Sequence, residues 1–165
     1  MKKFDSTNIG IIAIFVLLVG GVIIAFAATK NISIVEYSVD DINRPEFIIG
    51  QTNFDFGRMS LSETKTQDII IKNTGKSPLV LSDFITSCDC TFAQVIIDGQ
   101  TSPRFSMHRN RDWRGEIPPD TQAIVRMIYE PRIMPVKGKI KREIIFKTND
   151  PNQPVVNLSF TAQVE

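Results

Sequence analysis

From Val156 to Val164 every second residue is apolar: Val156, Leu158, Phe160, Ala162 and Val164 alternate with Asn157, Ser159, Thr161 and Gln163. Only an extended chain puts such a series on one side, because side chains alternate across a strand with a period of two. The segment therefore reads as a strand with one face in a core and the other in water. The same period recurs at Ala123, Val125, Met127 and Tyr129, and at Ile140, Ile144 and Phe146 opposite Lys139, Lys141, Glu143 and Lys147. Ile69 and Ile71 mark the inner face of a strand ending at Asn73, with Leu79 and Leu81 on the next. Turn chemistry separates these runs at Gly57, Asn73–Gly75, Ser77-Pro78, Pro118-Pro119, Pro131, Pro135, Gly138 and residues 149–154. No segment after residue 30 carries a helical period. Residues 46–165 are thus predicted to be all-β: an immunoglobulin-like antiparallel β-sandwich of about seven strands, two stacked sheets burying one face of each strand.

The N-terminus obeys a different rule. Ile9 to Ala28 contains no charge, and a helix needs roughly 20 such residues to cross the hydrocarbon layer. A core helix would show a polar face, which this run lacks. One transmembrane helix is therefore expected at 9–28. Lys2 and Lys3 put residues 1–8 in the cytoplasm and the rest outside, as a single-pass protein of the cell membrane. An alternative stays open: Ala25-Phe26-Ala27 is a small-x-small triplet, so cleavage after Ala27 would make the run a signal peptide, although its length exceeds the usual apolar core. Residues 29–45 read as a linker. Nineteen Lys and Arg against 18 Asp and Glu leave a net charge of +1, which argues against a nucleic-acid partner.

Several short motifs follow one another in a set order. Phe54, Phe56 and Gly57 come first, then the turn Asn73-Thr74-Gly75 with Pro78-Leu79, where Gly75 is expected to supply a positive φ. Cys88, Cys90 and Thr91, Tyr129 with Pro131, Gly138, and Thr148-Asn149-Asp150-Pro151 complete the set. With these landmarks the chain resembles a bacterial domain-of-unknown-function family, number 1573 (DUF1573). The resemblance implies a sandwich close to the pilus-chaperone and sperm-protein type, and it brings no established catalytic role. Such domains usually follow the cysteine pair with a short segment and a Pro-Gly turn. This chain instead holds a long loop, 98–118, and Pro119-Asp120 stands in the place of that turn.

Two groups of residues are candidates for a site. Cys88 and Cys90 lie two apart, so on a strand they face the same way at the far limit for a disulfide, and a bridge needs a local turn. An exported location favours oxidation. Reactive redox thiols, or a soft-metal site for copper or zinc completed by Met107 and His108, remain the other readings. The second group is the loop cluster Arg104, Phe105, Arg109, Arg111, Trp113 and Arg114, since arginine among aromatic rings is a common binding composition. Its alternative is a solvated loop with Phe105 and Trp113 tucked onto the sandwich edge. As a binding loop, Ser102–Arg114 would be replaceable by a short link without loss of folding.

Catalysis has no motif here. His-Glu-x-x-His, Gly-x-Ser-x-Gly, Ser-x-x-Lys and a phosphate-binding glycine loop are missing, and the single histidine has no partnered base in sequence. The expectation is a membrane-anchored binding or scaffolding module of the cell envelope, not an enzyme, without cofactor or bound metal. Its partner would be a protein or an anionic envelope component, met through an exposed strand edge or the loop. The alternative is a thiol-redox or soft-metal handling protein centred on Cys88 and Cys90.

Overall fold

The computed structural model describes residues 34–108 and 112–165. The expected transmembrane helix at 9–28 and the cleavage alternative lie outside the described residues, as do Arg109 and Arg111. Among the described residues no helix is long and apolar enough to cross a membrane.

Among the described residues the chain forms ten strands: β1 (Phe47–Ile49), β2 (Asn53–Met59), β3 (Lys65–Asn73), β4 (Leu79–Thr86), β5 (Thr91–Ile97), β6 (Gln100–Thr101), β7 (Arg114–Ile117), β8 (Gln122–Tyr129), β9 (Gly138–Thr148) and β10 (Val155–Val164). They form two five-stranded sheets, ordered β1-β3-β8-β5-β6 and β2-β10-β9-β4-β7. The expected sandwich is present, but with ten strands rather than about seven. The difference is β1, β6 and β7, of three, two and four residues. Runs that short hold too few alternations to be recognised in sequence. One pairing also departs from the antiparallel expectation: β2 runs parallel to β10.

Inward positions fall where the period puts them. Ile69, Ile71, Val125, Met127, Ile144, Phe146, Leu158 and Phe160 are all buried. Two departures matter. Asp83 takes φ 54° and the β4–β9 register slips between Ser82 and Ile85, a β-bulge. The bulge shifts the parity of β4, so Leu79 and Leu81 face inward before it and Phe84 after it. Ser159, expected in water, is buried because Asn53 of β2 covers it, its hydroxyl lying 2.6 Å from Asn53 Oδ1.

The segment expected to be a loop is partly sheet. Gln100–Thr101 pairs with β5, Arg114–Ile117 pairs with β4, and Phe105 exchanges both backbone hydrogen bonds with Ala93 at 3.0 and 2.8 Å. Phe105 is 1 % exposed and stacks on Phe84 at 4.7 Å, while Phe84 stacks on Phe146 at 4.7 Å. Trp113 closes the group 5.0 Å from Phe105. The inserted residues therefore supply core, and the expectation that Ser102–Arg114 is replaceable is corrected. Gly115 belongs to the same packing: a Cβ there would strike the Trp113 ring and lie 2.8 Å from Ile97 Cδ1.

At the end of the sandwich where the linker enters, Asn73 fills a different need. Its buried amide donates to Ser77 O and Ile117 O, both at 2.9 Å, and accepts from Gly75 N at 2.9 Å. Gly75 does not adopt a positive φ, contrary to expectation. It is required by close approach instead. Glu46 O takes hydrogen bonds from Thr74 N and Gly75 N, and a Cβ at Gly75 would strike the Glu46 nitrogen and come within 2.6 Å of Arg44 O. Asn149 repeats the device, accepting from Val80 N at 2.8 Å and donating to Pro78 O at 3.2 Å.

Two outcomes follow. Phe105→Ala should destabilise by about 3–5 kcal/mol, the range for truncating a buried aromatic, and a short link in place of Ser102–Arg114 should fail to fold cooperatively; urea melts with matched circular dichroism decide this. Asn73→Ala should cost roughly 2–4 kcal/mol, because three backbone groups, one buried and two partly buried, lose their partner at once. A loss below 0.5 kcal/mol in the same melts would mean that water replaces the amide.

Candidate functional site

The opposite end of the sandwich is built from the close of β4, the start of β5, the close of β8 and the start of β9. β4 gives out at Thr86 and residues 87–90 turn the chain into β5. That turn is tied down by backbone and side chain together. Thr86 Oγ1 donates to Cys88 O at 2.9 Å, and Thr91 N donates to the same carbonyl at 3.1 Å. Ser87 exchanges hydrogen bonds with Glu143 of β9, and Glu130 N donates to Cys90 O at 2.8 Å. The turn brings the two cysteine Cα atoms to 5.1 Å, and Cys88 and Cys90 are joined by a disulfide. Cys88 is 6 % exposed and Cys90 fully buried. Cys90 N donates to Cys88 Sγ at 3.0 Å, and Thr91 Oγ1 lies 3.9 Å from Cys90 Sγ.

Beside this turn the chain leaves β8 through a single 3-10 turn, Pro131–Ile133, and reaches β9 over a lip that packs little of itself away. Ile133, Met134 and Val136 are 45, 46 and 44 % exposed. Met134 Sδ stands 3.9 Å from Cys88 Sγ. The lip passed unnoticed in the sequence because Pro131 and Pro135 marked it only as turn; the signal available was three large apolar residues between two prolines and Lys137. Below it, Tyr129 is buried with its hydroxyl unpartnered, and Arg142 Nε is likewise buried without a partner. Burial pushes the Tyr129 hydroxyl above the usual phenolic range, with the Arg142 charge pulling weakly the other way.

The remaining candidates are spread out. Met107 and His108 are exposed on the connection after Phe105, and the methionine at the cysteine pair is Met134 rather than Met107. Among the described residues no group of three His, Cys, Asp or Glu is placed to hold a metal ion. Arg104 lies 3.9 Å over the Phe92 ring and pairs with Glu130 at 2.6 Å; Glu130 also faces Arg132 at 3.7 Å. Arg104 is thereby fixed to the rim of the cysteine end. Phe105 is core and not a contact surface, Trp113 is half-buried against it, and Arg114 sits on β7 opposite Ser82. The described members of what looks like one cluster in sequence, Arg104, Phe105, Trp113 and Arg114, are thus divided between the rim, the core and an edge strand.

A second surface was not foreseen. On the outer face of the first sheet Ile70 pairs with Ile124 and Ile124 with Ile96, so three strands carry an apolar row in register. Ile48 adjoins it on β1, paired with Lys72. Ile48 and Ile70 are 60 and 53 % exposed. The next row is ionic: Arg126 grips Asp68 with two hydrogen bonds at 2.7 and 2.8 Å, and this guanidinium holds the Asp68 carboxyl below its usual range. Strand edges offer less. On β2 Lys65 Nζ already donates to Phe56 O, and Gly57 N to Asp55 Oδ1.

Solved structures align with this chain. A protein of unknown function from Porphyromonas gingivalis W83 aligns with TM-score 0.56 and 22% identity over 74% of this chain and 49% of its own. The chain thus spans about half the length of that protein. A PapD-like domain of human CEP192 aligns with TM-score 0.48 and 12% identity, over 84% of this chain and 95% of the domain. The chaperone–tip adhesion subunit complex CsuC–CsuE of Acinetobacter baumannii gives TM-score 0.42 and 12% identity, over 73% and 52%. At such identities the first of these shows the fold alone. No curated protein matches the sequence. A family model described as "Protein of unknown function (DUF1573)" matches residues 47–101, the stretch from β1 through β6 that holds the Asn73–Gly75 turn and both cysteines.

Proposed function

We propose that the sandwich is a non-catalytic binding module, displayed outside the cell membrane by residues 9–28, whose partner is a protein seated on the outer face of the first sheet. The observation that carries this reading is the row Ile70–Ile124–Ile96 with Ile48 beside it. The water-facing side of an antiparallel sheet ordinarily alternates to polar residues, and a contiguous apolar strip there costs solubility unless something covers it. Its composition suits a protein better than an anionic polymer. Of the two neighbouring cations Arg126 is already engaged by Asp68 and Lys72 stands at the rim beside Ile48, an apolar centre with a polar rim, the usual make-up of a protein interface. The soft-metal alternative draws no support from the cysteine end, where the two sulfurs are bonded to each other.

A photo-crosslinking residue at position 70 of the full chain, in intact cells, should capture one protein, and capture should fall at least fivefold with Ile48→Lys. The same reporter at exposed Thr66, one ionic row away, should capture it poorly. Equal capture from both positions, or a crosslink only to a second copy of the chain, would sink the partner reading.

Membrane display has its own check. Protease added to intact spheroplasts should digest the sandwich and leave a short protected N-terminal piece. A tag after Glu165 that stays intact until lysis would reverse the assigned orientation.

A further inference from the structure

The Cys88–Cys90 disulfide joins residues two apart, inside a turn already held by Thr86, Ser87 and Thr91. A cross-link stabilises a fold by restricting the unfolded chain, and that restriction grows with the length of chain enclosed. This bridge encloses almost none. Both cysteines lie within the 87–90 turn between β4 and β5, so the bridge ties no strand directly to another. What it does have is position. It stands at the end of the sandwich with Cys88 6 % exposed and Cys90 fully buried, beside a lip of three exposed apolar side chains, and in contact with the lip's methionine.

We propose that Cys88–Cys90 is a thiol–disulfide exchange site, reduced by a protein dithiol that seats on the Ile133–Val136 lip. Burial sets the direction of attack. Cys90 is fully covered, whereas Cys88 keeps 6 % of its surface exposed and its sulfur lies against exposed Met134, so the incoming thiolate reaches Cys88 Sγ. A new sulfur–sulfur bond forms there, the Cys88–Cys90 bond breaks, and Cys90 leaves with the electron pair as a thiolate. The Thr91 hydroxyl, 3.9 Å away, is the donor at hand for that charge. The second thiol of the reductant then attacks its own partner sulfur in the mixed disulfide and expels Cys88 as a thiolate. Cys90 N–H, already directed at Cys88 Sγ at 3.0 Å, receives it. Two electrons pass from the dithiol to the pair, the dithiol becomes a disulfide, and its two protons end on the cysteines.

The lip explains why the reductant is a protein. Met134 partly shields Cys88, and its thioether adapts to varied apolar contacts. Ile133 and Val136 extend the same surface outward. A small thiol gains nothing from them, whereas a protein with an apolar rim around its cysteines gains contact area. This inference is independent of the partner on the sheet face, which lies on different residues.

The experiment uses the oxidised full chain in detergent and a Cys-x-x-Cys thioredoxin-type protein whose second cysteine is replaced, so that the mixed disulfide is trapped. The adduct should form, map to Cys88, and leave Cys90 as a free thiol that alkylates once the adduct is denatured. Ile133→Ser with Met134→Ser should slow adduct formation at least tenfold without lowering the rate of reduction by dithiothreitol. Both side chains are exposed, so the thermal melt should be unchanged. An adduct on Cys90, no adduct, or equal rates for the lip variant would each overturn the proposal.

Discussion

The two sheets meet through an aromatic stack that one of them does not own. Phe84 and Phe146 belong to the second sheet, on β4 and β9, and they stack 4.7 Å apart. Phe105 presses on Phe84 from the other side, yet it is held by a two-hydrogen-bond bridge to Ala93 in the first sheet. A ring contributed by an inserted segment thereby spans the space between the layers. Buried aromatic pairs of this kind contribute roughly 0.5–1.5 kcal/mol beyond the area they bury. The larger effect is geometric. With Phe105 fixed, Trp113 and β7 follow, because Gly115 must pass flat against the Trp113 ring to let β7 pair with β4.

What the sequence disclosed depended on length of pattern. Of the strands of seven or more residues the period identifies β3, β8, β9 and β10 and the start of β4, whereas β2 is indicated by Phe54, Phe56 and Gly57 and β5 is not singled out. Where the backbone breaks its own parity the pattern misleads. Asp83 reverses the phase of β4, so Phe84, the centre of the stack, falls on what alternation from Leu79 would assign to the outside. Phe105 failed for another reason. It lies between Pro103 and a segment rich in arginine, a composition that describes binding loops and buried insertions equally well. The isoleucine row was invisible because it is written across β3, β8 and β5, and no single strand shows it.

The cysteine pair was legible as a choice and no further. Two residues on an extended strand stand too far apart for a comfortable bridge, so the outcome rested on whether residues 87–90 turn. They do, and the reason lies partly outside the local sequence: Glu143 on β9 and Glu130 after β8 each take part in hydrogen bonds that hold the turn. Closing so small a loop restricts the unfolded chain by only roughly 1–2 kcal/mol. That is a minor share of what the aromatic stack and the sheets supply.

The two ends of the sandwich divide the remaining polar groups unequally. Where the linker enters, Asn73 and Asn149 use their amides on backbone atoms that the strands have left over. Thr148 Oγ1 and Asp150 Oδ1 hold the turn beside them. These are the residues that made the family resemblance, and their chemistry is spent inside the fold. At the cysteine end the accounts stay open: the Tyr129 hydroxyl and Arg142 Nε are buried without partners, and three apolar side chains face water. Buried polar groups without partners cost stability, as do exposed apolar ones through solvation. The contrast is one of degree, since Asp150 Oδ2 is also buried without a partner at the other end, and the isoleucine row on the first sheet is a second place where local choices disagree with stability. Disagreement of that kind is expected where a surface serves contact or chemistry instead of the fold.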